Sequence, residues 1–288
     1  MFLPNKWPTY FKSSNGCNVV DLDGNHYIDM SLMGVGTNIL GYNNKKVDDA
    51  VLNAIKKGNL STLNCPEEVY LAERLISIHP WFDMARFART GGEANAIAIR
   101  IARAYIQKDN VAICGYHGWH DWYLSANLSE KKGLDSHLLP GLSTNGVPQN
   151  LKNSTYTFRY NDIDALKELI AKKNIGIIKM EVSRNEEPNI EFLKEVRSIC
   201  NKHSLVLIFD ECTSGFRSSF GGLHKTCDVF PDIAIFGKAL GNGYPITAVL
   251  GKKEIMQSAQ STFISSTFWT ERIGYAAALQ TLDEMESI

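Results

Sequence analysis

The chain has 288 residues, with 30 lysines and arginines against 31 aspartates and glutamates and a formal net charge of −1. That length can bury a sizeable core in one large domain or two modest ones, and the even charge gives no reason to expect nucleic acid or an anionic membrane surface as a partner. The longest apolar runs, such as residues 205–209 and 233–236, are strand-sized and too short to span a bilayer.

The opening residues, 1–8, lack the basic-then-apolar layout of a signal peptide. Residues 17–22 and 26–30 read as two short strands around an Asp23-Gly24-Asn25 turn. Residues 34–42 are glycine-rich and irregular; Gly34-Val35-Gly36 imitates a dinucleotide loop but lacks the third glycine. Apolar residues at helical spacing predict helices over 45–57, 66–77 and 93–107. From residue 111 the pattern changes to short apolar strands (111–114, 175–182, 205–210, 233–236, 246–250) alternating with helices at 162–173 and 190–203. This alternation is the habit of a mostly parallel sheet covered on both faces, which gathers ligands at the carboxyl ends of its strands. Residues 134–153 form a long aperiodic loop, and 275–285 is an amphipathic helix with no stop signal before Ile288. The six cysteines show no C-x-x-C pair, which reads as reduced thiols in a cytoplasm, with Cys212 most simply a small buried filler.

Three features fall at strand ends or helix starts. Thr90-Gly91-Gly92-Glu93 opens a helix, where glycines let backbone approach an anion and free N–H groups can hold phosphate; it also reads as a plain capping box, and the two readings are compatible. Asp210 closes a buried strand, and a carboxylate there needs a positive partner: a pyridinium nitrogen, a helix N-terminus it caps, or Arg217. Lys238 follows Phe236-Gly237 and precedes Gly241-Asn242-Gly243. Standing alone it reads as a solvated surface lysine, but it follows Asp210 by 28 residues, about one strand–helix–strand step. Burial at such a position lowers a lysine's pKa and suits it to Schiff-base chemistry. A fourth segment, Gly115-Tyr116-His117-Gly118-Trp119-His120-Asp121, offers an aromatic ring to stack on a cofactor, or alternatively two histidines and an aspartate for a metal. No G-x-S-x-G occurs, so a serine-hydrolase elbow is not on offer.

Taken together these residues resemble the class III aminotransferases of the type I pyridoxal-phosphate (PLP) fold, in particular the glutamate-1-semialdehyde aminomutase branch, over essentially the whole chain. The resemblance rests on Thr90-Gly91-Gly92-Glu93-Ala94, Tyr116-His117-Gly118, Phe209-Asp210-Glu211 with Gly215-Phe216-Arg217, Phe236-Gly237-Lys238 with Gly241 to Pro245, and Ser266-Thr267-Phe268, in that order. It implies an α/β large domain at 43–288, with a mostly parallel seven-stranded sheet and helices on both faces, preceded by a short β segment at 1–42. It further implies pyridoxal 5′-phosphate held on Lys238 as a Schiff base. The cofactor-binding residues would be Thr90, Gly91, Gly92, Tyr116 on the ring face, His117, Glu181, Asp210 and Thr267, the last reaching the phosphate of a neighbouring subunit in a homodimer.

The expected activity is transamination or a 2,1-aminomutase shift between a small amino donor and a carbonyl acceptor, in the cytoplasm. Racemase or decarboxylase chemistry and a truncated, inactive form are the alternatives. Two departures stand out: Glu181-Val182-Ser183-Arg184-Asn185 lacks the family's proline, and Val35 stands where the aminomutase has a tryptophan. Trp119, Trp122 and Trp269 suggest an aromatic surface for a larger, sugar-like substrate, and a C-terminal small domain of the family is expected to lie beyond this chain.

Overall fold

The computed structural model describes residues 7–129, 133–135, 137, 141–183 and 187–288. Three short strands, β1 (Phe11–Asn15), β2 (Asn18–Asp21) and β3 (His26–Ile28), pair antiparallel into a sheet of their own. Asp21 holds the turn between β2 and β3: its carboxylate accepts from the backbone N–H groups of Asp23 and Asn25 and from the Tyr27 hydroxyl. Gly16 and Tyr42 tie this piece to the chain that follows through two reciprocal backbone bonds of 2.9 and 2.8 Å.

The other seven strands form one sheet: β4 (Met84–Ala88), β5 (Asn110–Cys114), β6 (Thr155–Thr157), β7 (Ile175–Glu181), β8 (Val206–Asp210), β9 (Ile233–Phe236) and β10 (Thr247–Gly251), in the order β4-β10-β9-β8-β7-β5-β6. Only β10 runs against its neighbours, so the sheet is mostly parallel, as expected. The central strands are buried on every residue because both faces are covered. On one face Ile177, Ile208, Ile235 and Val249 pack with Ala98, Ile101 and Ala102 of helix Gly91–Ile106. On the other, Ile178, Met180, Leu207 and Phe209 meet Phe192, Leu193 and Val196 of helix Ile190–His203. Leu71, Leu75, Phe236, Leu250 and Tyr275 continue that second layer toward the β4 side.

The five strands predicted in this half all form, within one residue at each end, and helices Lys45–Lys56, Pro66–Ile78, Ile163–Lys173 and Ile190–His203 lie where periodicity put them. Asp162 caps the third of these by accepting from Ala165 N–H. Three short strands, β1, β4 and β6, are additions. Each is only half-apolar or at most five residues long, and each exists by pairing with a partner distant in sequence or across a turn. The Gly34–Gly36 stretch is irregular, as expected, with positive φ at Gly34, Val35 and Gly36. The long loop keeps its irregular character where described, with one short 3-10 turn, Gln149–Leu151. Residues 136 and 138–140 of that loop lie outside the described residues, as do Arg184 and Asn185 of the segment after Glu181.

Candidate active site

Because β4, β5, β7, β8 and β9 are parallel, their carboxyl ends line one edge of the sheet. Glu181 ends β7 directly across from Asp210, which ends β8. Asp210 in turn is registered against Ile235, so the chain leaves β9 at Phe236 and reaches Lys238 just above it. Lys238 takes a left-handed backbone conformation (φ +43°) at the start of a 3-10 turn. For a residue with a side chain this costs about 1 kcal/mol or more, and it aims the amine back over the sheet edge. There Lys238 Nζ donates to the Thr213 hydroxyl at 3.0 Å. Burial pushes its pKa down, toward the neutral amine that a nucleophile or base needs.

Asp210 is buried and fully engaged. One carboxylate oxygen accepts from His117 Nδ1 at 2.8 Å and lies 3.6 Å from Lys179 Nζ; the other accepts from Cys212 N–H at 3.1 Å. Burial raises its carboxyl pKa, but Lys179 and His117 outweigh that and hold it well below the usual carboxylate range. His117 is itself pushed down to about 4, by burial and then by the Lys179 charge, so it is a neutral imidazole that donates through Nδ1. Glu181, also buried, accepts from Tyr116 N–H at 2.9 Å and thereby fixes the loop that carries the Tyr116 ring. Gly115 is required there: a Cβ on it would lie 2.5 Å from the Glu181 carboxylate, and its φ is +105°.

The start of helix Gly91–Ile106 closes the group. Thr90 accepts from Glu93 N–H, so the capping reading is met; Glu93 reaches back to Arg89 N–H rather than to the cap residue itself. Gly92 is hemmed in by His120, whose Nε2 a Cβ would meet at 2.9 Å, and a Cβ on Gly118 would sit 3.1 Å from Gly92 Cα. Cys212 lies between Gly91 and Gly237, within 3.7 and 3.3 Å of where their Cβ atoms would be, and burial raises its thiol pKa well above normal. Gly91, Gly92 and Gly237 thus let backbone pack closely against Cys212, His120 and Thr247 beside a helix N-terminus, a lysine amine and a buried carboxylate.

Lys238, Asp210, His117, Tyr116, Glu181, Gly91 and Gly92 therefore all belong to one edge of the sheet. Thr267 is exposed, on a turn held by Arg89, whose Nη2 donates to Phe268 O at 2.6 Å; no hydrogen bond joins Thr267 to the Asp210–Lys238 group among the described residues. Arg217 does not reach Asp210; its Nη2 donates to Gly36 O at 2.7 Å. His117 faces Asp210 and His120 faces Gly92, and no group of three metal-ligating side chains occurs among the described residues. The three tryptophans do not form one surface: Trp119 is exposed, Trp122 is buried beside Tyr123, and Trp269 lies under the Arg86 guanidinium. Reasoning from sequence missed Thr213 and Lys179. Glu211 is structural: its buried carboxylate accepts from Ser214, from the N–H groups of Leu223 and His224, and from His224 Nδ1.

A parallel sheet with a desolvated lysine after one strand, an ionised carboxylate at the next and an open helix N-terminus beside them defines a site for an anionic, ring-nitrogen cofactor. Residues 4–287 match the family model for class-III aminotransferases, and the chain belongs to that family, whose enzymes move amino groups with pyridoxal 5′-phosphate. It is 40% identical to a 3-aminobutyryl-CoA aminotransferase of Cloacimonas acidaminovorans, over 99% of this chain and 67% of that one. It is 35% identical to the glutamate-1-semialdehyde 2,1-aminomutase of Methanococcoides burtonii, over 97% and 68%. The fold overlays an omega-transaminase from Sphaerobacter thermophilus with a TM-score of 0.86 at 27% identity, covering 98% of this chain and 67% of that one. The chain thus spans about two thirds of the length of these relatives.

Proposed function

We propose that this chain carries the PLP site of an aminotransferase that moves an amino group from a small donor to a carbonyl acceptor, with Lys238 as the reacting lysine. The observation that carries the reading is the desolvated Lys238 amine, in line with the ionised Asp210 on the neighbouring strand. Bound PLP supplies an aldehyde that captures amines and a protonated ring that draws electron density from the adjacent carbon. Asp210 would hold the proton on the ring nitrogen, its carboxylate oriented by His117, which donates through Nδ1. The backbone N–H groups at Gly91 and Gly92, with the Thr90 hydroxyl, would hold the phosphate. Tyr116, on a loop fixed by Glu181, would offer its ring for stacking on the cofactor. With the cofactor bound, Lys238 would act as general base and acid, taking a proton from the donor's reacting carbon and returning it to the acceptor position. Thr213 steadies its amine between these roles.

In this reading transfer between two molecules is favoured over the 2,1-shift. The aminotransferase of Cloacimonas acidaminovorans is 40% identical against 35% for the aminomutase of Methanococcoides burtonii, and Val35 stands where the aminomutase resemblance places a tryptophan. A homodimer with Thr267 reaching the neighbouring phosphate, a division into segment 1–42 and cofactor domain 43–288, and residence in a reducing cytoplasm belong to the same proposal. The last is supported by six cysteines that are all free thiols, and no helix of the described residues is long and apolar enough to cross a membrane.

The test is spectroscopic. Purified chain supplied with PLP is expected to show a cofactor band that an amino donor bleaches and a keto acceptor restores, and Lys238→Ala is expected to lack that cycle. A chain that takes up no PLP, or a band that no donor alters, overturns the reading.

A further inference from the structure

Lys179 is the side chain at this site that the strand pattern least explains. It sits inside β7 in the run Ile175-Gly176-Ile177-Ile178-Lys179-Met180-Glu181, every residue of which is buried. Strand alternation turns it to the same face as Glu181. Its side chain is 0% exposed, and its ammonium lies 3.6 Å from Asp210 Oδ2 with no hydrogen-bond partner among the described residues. An ammonium buried with so little compensation costs several kcal/mol. An apolar residue would serve packing better.

The carboxylate it faces already accepts from His117 and from Cys212 N–H, so Asp210 does not need a further donor to be satisfied. The other titratable groups around the pair are Glu181 on the same strand, the Cys212 thiol after β8, Lys238 beyond β9, and His137 behind His117. Burial pushes the Lys179 pKa down and the Asp210 charge opposes that; as an ammonium, what Lys179 adds is charge.

We propose that Lys179 is a positioning residue that acts through Asp210, neutralising part of its charge and so setting how firmly the carboxylate holds a proton on the cofactor's ring nitrogen. The lysine weakens Asp210 as a partner for a second cation. The ring therefore loses its proton more readily than it would beside Asp210 and His117 alone, and the electron pull of the ring is tempered. The inference rests on the cofactor reading above for its consequence, while the charge relation is tested on the chain alone.

The first arm uses cofactor-free protein and the imidazole NMR signals of His117, assigned by their absence in His117→Gln. Lys179→Met, close in volume but uncharged, is expected to raise the His117 pKa from about 4. Lys179→Arg, which keeps the charge, is expected to leave it low. The second arm loads PLP labelled with 15N in the ring. In Lys179→Met the ring signal is expected to stay protonated to higher pH, with PLP held about tenfold more tightly, the size of effect a unit charge has at moderate distance near a protein site.

An unmoved His117 titration, or an unchanged ring signal in PLP-bound Lys179→Met, overturns the inference while leaving the cofactor reading intact. Failure of the wild-type chain to bind PLP overturns the cofactor reading and, with it, the consequence for the ring. Should Lys179→Met fail to fold, Lys179→Gln, uncharged and polar, takes its place with the same expected outcomes.

Discussion

His117 and Asp210, 93 residues apart in sequence, meet through one buried hydrogen bond of 2.8 Å from the imidazole Nδ1 to the carboxylate. Two strand ends that belong to the same sheet edge bring them together, β5 through the loop after Cys114 and β8 directly. The imidazole stays neutral first because it is buried and then because of the Lys179 charge, while Lys179 and His117 together keep the carboxylate ionised.

Two buried histidines, His117 of that pair and His79 elsewhere in the core, give a pH dependence of stability with a defined sign. His117 and His79 are both buried with pKa values lowered to about 4 from an ordinary 6.5. Between those limits the unfolded chain takes up protons that the folded chain refuses, so stability is full above about pH 6.5 and falls as pH drops toward 4, by roughly 3 kcal/mol for each histidine. Asp210, whose pKa is depressed, adds a further loss only below the ordinary carboxylate pKa. Urea unfolding at pH 7 and pH 4.5 measures this. His117→Gln is expected to show a smaller drop between the two conditions than the wild type.

Lys238→Ala is expected to abolish the donor-dependent change in PLP absorbance and to slow amino transfer by about a thousandfold or more, within the range for loss of a proton-transferring group. The melting temperature of the cofactor-free variant is expected to stay close to the wild type, because the lost side chain is a partly desolvated amine with one hydrogen bond. Paired absorbance and circular-dichroism melts separate these two effects.

Gly118→Ala tests the close approach of backbone at the helix start. Its φ is +91° and a Cβ would fall 3.1 Å from Gly92 Cα, whereas Gly24, with a similar φ of +86°, has open space around its Cβ position. Both substitutions cost about 1–2 kcal/mol of backbone strain. Only Gly118→Ala also displaces Gly92, so it is expected to melt lower than Gly24→Ala and to weaken PLP binding, which fluorescence titration reads.

Glu211→Gln removes the charge that gathers Ser214, Leu223 N–H and both donors of His224. Loss of a buried, multiply bonded carboxylate is expected to cost roughly 3 kcal/mol, measured as a lower urea midpoint. The PLP band is expected to survive below the melting transition, since Glu211 faces away from Asp210's partners.

The strand and helix order was legible in the sequence because β7 to β9 are apolar runs, broken in β7 only at Lys179 and Glu181 and closed in β8 by Asp210, and the long helices carry period and caps. Asp210 and Lys238 were legible for the same reason: each is a charged residue ending or following such a run. Lys179 was not, since a lysine within an apolar strand carries no local mark of what it faces, and its partner Asp210 comes from the next strand. Thr213 and the His117–Asp210 bond were equally hidden, because both depend on strand register rather than on spacing. β4 and β6 are short or mixed in polarity and take their form from neighbours. The tryptophans misled because aromatic content says nothing about which rings share a surface.

The central claim, that Lys238 is the residue that binds the cofactor covalently, is tested most directly by borohydride fixation of PLP to the chain followed by peptide mass mapping. The expected result is a cofactor mass on the peptide containing Lys238 and on no other. A cofactor mass on the Lys179 peptide or on any other lysine, or none at all with PLP in excess, would contradict the account.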